Sequence, residues 1–134
     1  MDFCTAINCM DGRVQLPVIQ YLRHRFDVRY VDSITEAGPT LILAKRNNAA
    51  LVQRILERLR ISIEKHHSVG VAVVGHHDCA GNPAPPEQQA RHTGKAVDYL
   101  RQRHEDVEII GLWVDENWEV HEVGENQSRR DRWS

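Results

Sequence analysis

No stretch of this 134-residue chain is apolar for long enough to span a bilayer, its longest apolar runs being a handful of residues. The N-terminal segment MDFCTAINCMDGR lacks the basic and apolar regions of a secretory signal, so a soluble, cytoplasmic protein with no membrane partner is the expectation. Charge of one sign is missing too. With 17 Lys and Arg against 19 Asp and Glu the formal charge is -2, which gives no electrostatic reason to expect nucleic acid as a partner. There is no internal repeat, low-complexity tract or linker, and the length leaves room for one hydrophobic core. The expected organisation is a single domain over residues 1–124 and a polar tail over residues 125–134. Cysteine is scarce and odd in number. Without an export signal, Cys4, Cys9 and Cys79 are expected as reduced thiols, which excludes a disulfide framework. In that setting a cysteine with polar neighbours is more often a metal ligand or a nucleophile, and Cys9 and Cys79 have such neighbours.

What the chain does have is a regular alternation of element types. Phe3 to Asn8 reads as a short strand ending at Cys9. Pro17 suits the first turn of a helix whose Val18, Tyr21, Leu22 and Arg25 recur at helical spacing up to Phe26. Val28 to Ile34 reads as a second strand, closed by Ala37-Gly38-Pro39 and followed by a loop. From Asn48 to His67, the positions of Leu51, Val52, Ile55, Leu56, Leu59 and Ile63 predict a long amphipathic helix. Val69 to Gly75 is a nearly continuous apolar run, the pattern of a strand covered on both faces in a parallel sheet. Pro83, Pro85 and Pro86 interrupt regular structure before a helix over Glu87 to His104. A strand over Val107 to Val114 follows, then a short turn and an antiparallel edge strand over Trp118 to Val123. Together these elements predict an α/β fold, a three-layer, mostly parallel β-sheet built from right-handed crossovers with an antiparallel edge strand.

In open sheets of this kind ligands sit at the carboxyl ends of strands where the strand order reverses, here expected between the first and third strands. Cys9 closes the first of these strands, and His76, His77, Asp78 and Cys79 close the third. Two residues separate His76 from Cys79, a spacing at which one tight turn lets both side chains reach the same ion. With Cys9 they make two thiolates and an imidazole, a donor set that suits zinc. Three protein ligands leave one tetrahedral corner open, the pattern of a catalytic site holding water. Asp11 and Arg13 follow Cys9 in the same loop and can meet as a charge-assisted pair. Arg13 would keep Asp11 ionised and aimed at the water. If Arg13 lets go, Asp11 could instead take the fourth zinc position and close the site.

The segments CMDGR and GHHDCAG together resemble the CxDxR and GHxxCG signatures of the β-class carbonic anhydrases. SIEKHHSVGVAVVGHHDC is similar to that family's helix, core strand and ligand turn, ITEAG to its segment after the second strand, and EIIGLWVDENWEVHEV to its closing hairpin. The resemblance implies a β-carbonic-anhydrase-like fold and one zinc ion per chain on Cys9, His76 and Cys79, with Asp11 and Arg13 as the catalytic dyad. It also implies reversible hydration of carbon dioxide to bicarbonate by a zinc-bound hydroxide, in a homodimer or larger homo-oligomer. Proteins on a similar scaffold hydrolyse carbonyl sulfide or carbon disulfide, and a catalytically silent zinc-binding protein is the remaining alternative. Three features depart from the family. The first strand starts near residue 3, where relatives commonly carry a helical arm. The region from Asn82 to Asp106 is short. Thr35-Glu36-Ala37-Gly38 stands where Arg-Asn-Ala-Gly is common, putting an acidic side chain near the pocket.

The remaining polar residues have plainer readings. Cys4 is expected in the core on the other face of its strand from Cys9. His77 and Asp78 read as groups of the ligand turn, and His66 and His67 suit the end of a helix, where the dipole favours cations. His24, His92, His104 and His121 carry no signal. Trp113, Trp118 and Trp133 suit hairpin packing or a subunit interface, and turn geometry explains Gly38, Gly75 and Gly81.

Overall fold

The apolar run after Ser68 needs cover on both faces, and it receives that cover at the centre of the sheet. The computed structural model describes residues 2–123. In it β3 (Gly70–His76), buried at every position, lies between β1 (Phe3–Cys9) and β4 (Glu108–Val114). The strand β2 (Tyr30–Glu36) flanks β1, and β5 (Val120–Val123) closes the far edge. The order is β2-β1-β3-β4-β5, with the β4–β5 pair antiparallel and the others parallel. This is the expected mostly parallel sheet with an antiparallel edge strand, and the strand order reverses between β1 and β3.

Side-chain alternation sorts the strands into two layers of contact. Cys4, Ala6, Ala72 and Val74 meet Val14 and the Val18 and Leu22 of α1 (Gln15–Arg25). On the other face Ile7, Val71 and Val73 meet Leu43 of α2 (Pro39–Lys45), Ile55 and Leu59 of α3 (Ala49–His66), and Val97 and Leu100 of α4 (Pro86–Arg103). Among the described residues, one α-helix on one face and three on the other complete the three layers. Cys4 is fully buried, as expected, but Cys9 borders the same cluster, so strict alternation does not carry to the last residue of β1.

Three local readings change. The loop expected after the second strand is the helix α2, which Gly38 opens at φ +66° and Pro39 begins. Its seven residues, PTLILAK, are too short to display a helical period. The second strand begins at Tyr30 rather than Val28. Trp118 lies in the turn before β5 at φ +62° instead of in the strand. The expected tail over residues 125–134, with Trp133, falls outside the described residues. No helix among the described residues is long and apolar enough to cross a membrane.

A polar seam ties α3 to β1 and β2. The buried Thr5 hydroxyl is 2.6 Å from that of Ser62 and 2.7 Å from that of Ser68, and Ser62 donates to Asp32 at 2.7 Å. His66 Nδ1 lies 2.6 Å from the same Asp32 oxygen, and its ring stacks on Phe3 with centroids 4.4 Å apart. His66 therefore pairs with a strand carboxylate besides ending a helix.

Leu59 is fully buried between α3 and the sheet, whereas Ile61 on the same helix is 55% exposed. Leu59→Ala is expected to lower the unfolding free energy by about 3 kcal/mol, through lost contacts and the cavity left behind. Ile61→Ala is expected to change it by less than about 0.5 kcal/mol. Urea denaturation of both variants measures the difference.

Candidate metal centre

Parallel pairing of β1 with β3 matches Ile7 to Val73, so the two strands run out side by side at Cys9 and His76. The His77 N–H donates to the Val114 carbonyl at 2.9 Å, which extends the β3–β4 ladder by one step before the chain turns. Asp78 takes φ +58°, and the tight turn that results swings Cys79 back over the strand end. Cys9, His76 and Cys79 are all buried, and one donor atom from each lies within 4.8 Å of the others. The Sγ atoms of Cys9 and Cys79 are 3.9 Å apart, far beyond a disulfide bond. Two sulfurs each about 2.3 Å from a tetrahedral centre would stand roughly 3.8 Å apart. His76 Nδ1 donates to the His77 carbonyl at 2.7 Å, which leaves the lone pair on Nε2. That Nε2 is buried with no hydrogen-bond partner. An orphaned imidazole nitrogen facing two thiols is what a soft divalent cation would satisfy, and the donor set fits zinc.

The two thiols also hold charge unequally. The Cys9 thiol is pushed far below its usual range by the Cys79 S–H, with the N–H groups of Gly38 and Asp11 adding to the effect against the penalty of burial. Cys79 moves the opposite way, because it faces the Cys9 thiolate from a buried position. One proton is thus lost readily from the pair and the second is retained. A cation would displace that second proton.

Asp11 and Arg13 stand beside this cluster in the loop after β1. Asp11 Oδ1 accepts from the Arg13 backbone N–H at 2.9 Å and from Nε at 3.0 Å, and Oδ2 accepts from Nη2 at 2.7 Å. Both carboxylate oxygens are therefore engaged, and Arg13 lowers the Asp11 pKa to about 2. Arg13 also reaches the ligand turn, donating to the Asp78 carboxylate and to its carbonyl, each at 3.2 Å. Its guanidinium carbon sits 4.6 Å from the ring centroid of Trp118. Gln15 ties down the loop by donating to the carbonyls of Cys9 at 2.7 Å and Asp11 at 3.0 Å.

A family model described as "Putative carbonic anhydrase" matches residues 1–124. The chain belongs to this carbonic anhydrase family. Among solved structures it is similar to a carbonic anhydrase from Glaciozyma antarctica, with 15% identity, a TM-score of 0.60, and coverage of 89% of this chain and 80% of that one. It is also similar to a tetrameric β-carbonic anhydrase from Sordaria macrospora, with 11% identity, a TM-score of 0.59, and coverage of 92% and 80%. A point mutant of the β-carbonic anhydrase CafD of Aspergillus fumigatus shares 12% identity at a TM-score of 0.59, with coverage of 93% and 90%. At these identities the likeness is one of fold. No curated protein matches the sequence.

Glu36, the strand partner of Cys9, forms an ion pair with Arg58 Nη2 of α3 at 2.5 Å. Two supports of this carbonic anhydrase-like site had no visible signal. The first is a backbone contact: a Cβ on Gly38 would lie 2.6 Å from the Gly81 carbonyl carbon, and one on Gly81 would lie 2.4 Å from that of Ala37. These glycines do more than shape turns, because the approach sends the Gly38 N–H toward Cys9 and the Gly81 and Asn82 N–H groups toward Cys79. The second is buried Asn82, whose amide donates to Thr40 Oγ1 of α2 at 3.2 Å and to His92 Nδ1 of α4 at 3.0 Å. Spacing in the sequence could not bring those three together.

Gly81→Ala is expected to lower thermal stability and to weaken metal retention together, because no side chain can swing aside to make room. Thermal melts and metal content of the purified variant check this. His92 accepts from Asn82 only while neutral, and its pKa is lowered by burial and then by the neighbouring Lys45, Lys95 and Arg91. Below the ordinary imidazole value of about 6.5, the unfolded chain binds a proton that folded His92 resists, so stability falls as pH drops from there. His92→Gln keeps an acceptor for Asn82 and should flatten that acid-side decline, as denaturation at pH 7.5 and 5.5 measures.

Proposed function

We propose that this chain is a zinc-dependent carbonic anhydrase that interconverts carbon dioxide and bicarbonate. The observation that carries the reading is the convergence of Cys9 Sγ, His76 Nε2 and Cys79 Sγ beside an Asp11 whose two oxygens are both held by Arg13. Cys9, His76 and Cys79 hold one zinc ion per chain. Bound there, zinc supplies Lewis acidity that makes a water nucleophilic near neutral pH. Asp11 accepts a hydrogen bond from the attacking water and so aims its lone pair at the carbon of carbon dioxide. Arg13 keeps Asp11 ionised and turned toward that water. Arg13 holds both Asp11 oxygens, which supports an open site over a closed, silent one. Zinc with two sulfur ligands and one nitrogen ligand also suits attack on carbonyl sulfide or carbon disulfide, and carbon dioxide is preferred here on family membership.

A homodimer or larger homo-oligomer in the cytoplasm is part of the proposal, over a single domain of residues 1–124. The Sordaria macrospora enzymes are tetrameric, and Met10 and Leu16, on either side of the Asp11–Arg13 loop, are 66% and 68% exposed in the single chain.

Stopped-flow hydration of carbon dioxide beside a sulfide-release assay tests the reading. Proton release on mixing with carbon dioxide is expected, whereas fast sulfide release without it would reverse the substrate assignment. Cys79→Ser is expected to lose zinc, checked by elemental analysis of reduced protein. Asp11→Asn should keep one zinc per chain and lower kcat about a hundredfold, as misaligned attack does. Unchanged turnover would remove Asp11 from the mechanism.

A further inference from the structure

Among the described residues, five that are not glycine hold a positive φ: Asp27, Arg46, His67, Asp78 and Trp118. Asp27 lies just past α1, and Arg46 and His67 end α2 and α3, where a left-handed residue commonly closes a helix. The other two end no helix, and both touch Arg13. Asp78 accepts from it at 3.2 Å, and the Trp118 ring faces it at 4.6 Å.

A left-handed backbone is costly for a bulky side chain and persists where the surroundings over-determine it. For Trp118 the determinant is Asp115, the first residue after β4. Its Oδ1 accepts the N–H groups of Asn117 at 2.9 Å and Glu119 at 3.0 Å, and its Oδ2 lies 2.7 Å from His121 Nε2. The Asp115 backbone accepts from the Trp118 N–H at 2.9 Å and donates to Glu119 at 3.0 Å. These bonds from Asp115 to the backbone of Asn117, Trp118 and Glu119 and to the His121 ring close the turn. Because β4 lies beside β3, the turn stands at the carboxyl edge that carries His76, and its indole meets a guanidinium that is 45% exposed.

We propose that Trp118 is a positioning residue for the Asp11–Arg13 pair: the β4–β5 turn presses the indole against the Arg13 guanidinium and so holds the Asp11 carboxylate in register with the donor cluster. The proposal rests on the reading of Asp11 and Arg13 as the catalytic pair. Trp113 and the other aromatic residues of the described chain make no comparable contact with that pair in the ring contacts observed.

The test compares wild type with Trp118→Leu, Trp118→Gly and Trp118→Phe by NMR of the Arg13 Nε–H, assigned with Arg13→Lys, in metal-free and zinc-loaded protein. Glycine accepts the left-handed backbone without strain, so that variant folds even if the leucine variant does not. In wild type the ring current is expected to shift the Arg13 resonance upfield, with slow solvent exchange. The leucine and glycine variants should lose the shift and exchange faster, and phenylalanine should restore most of both. In the hydration assay, kcat of the leucine and glycine variants should fall about tenfold at unchanged KM and full zinc content, as loosened alignment does. An Arg13 resonance unmoved by loss of the indole overturns the proposal, as does a moved resonance with wild-type kcat. A wild type that hydrates no carbon dioxide defeats the functional reading, and the resonance comparison then judges the positioning alone.

Discussion

Where β1 and β3 run parallel as nearest neighbours, the chain cannot have gone directly from one to the other. It leaves β1 through α1 to β2 on one side and returns across the sheet through α2 and α3 to β3. That reversal leaves a gap between the loops at the carboxyl ends of β1 and β3, and the three segments bordering the gap are those that carry polar chemistry. They are Cys9 to Arg13, Ala37 to Gly38, and His76 to Asn82. Each meets another through backbone, most closely at Gly38 and Gly81, where there is no room for any Cβ. Close backbone packing brings N–H groups to bear on the two sulfurs, which a looser arrangement with intervening side chains would not do.

The resulting site is buried and short of positive charge. A thiolate taken out of water is expensive unless donors or a cation compensate it, and an unpaired imidazole nitrogen inside a protein costs about 1–3 kcal/mol. The backbone donors near Cys9 and Cys79 offset part of the first cost and none of the second. One zinc ion would answer both, since it binds the sulfurs and the Nε2 lone pair at once. A metal that relieves an electrostatic strain already present in the fold stabilises the folded chain as well as serving the reaction.

Most of the architecture was readable because it rests on patterns local in the chain. The apolar run of β3, the helical spacing of Leu51 to Ile63 and the paired motifs around Cys9 and His76 each carry their own signal, and the switch-point rule then places the motifs together. What was not readable depends on contacts across the fold. The helix α2 has too few residues to show a period and owes its start to a left-handed Gly38. His92 and Thr40 stand far apart in the chain and meet only because α4 and α2 pack together over Asn82. The edge-strand reading of Trp118 failed for a related reason, since alternation of apolar and polar residues does not reveal a left-handed turn held by Asp115.

The three buried donors and the exposed pair beside them face opposite physical requirements. Donors for a soft ion gain from dryness and rigidity, and strand ends in the middle of a sheet supply both. A charged pair gains from contact with water, and Asp11 and Arg13 keep 20% and 45% of their side chains exposed. Exposure has a consequence for their geometry. A solvent-exposed ion pair is worth at most about 1 kcal/mol, while ordering a long arginine side chain costs comparable rotamer entropy. The pair cannot fix its own position with so small a margin. Fixation has to come from outside it, through contacts other than exposed ion pairs, which here are the Gln15 hydrogen bonds to the loop backbone and the Trp118 ring of the hairpin against Arg13.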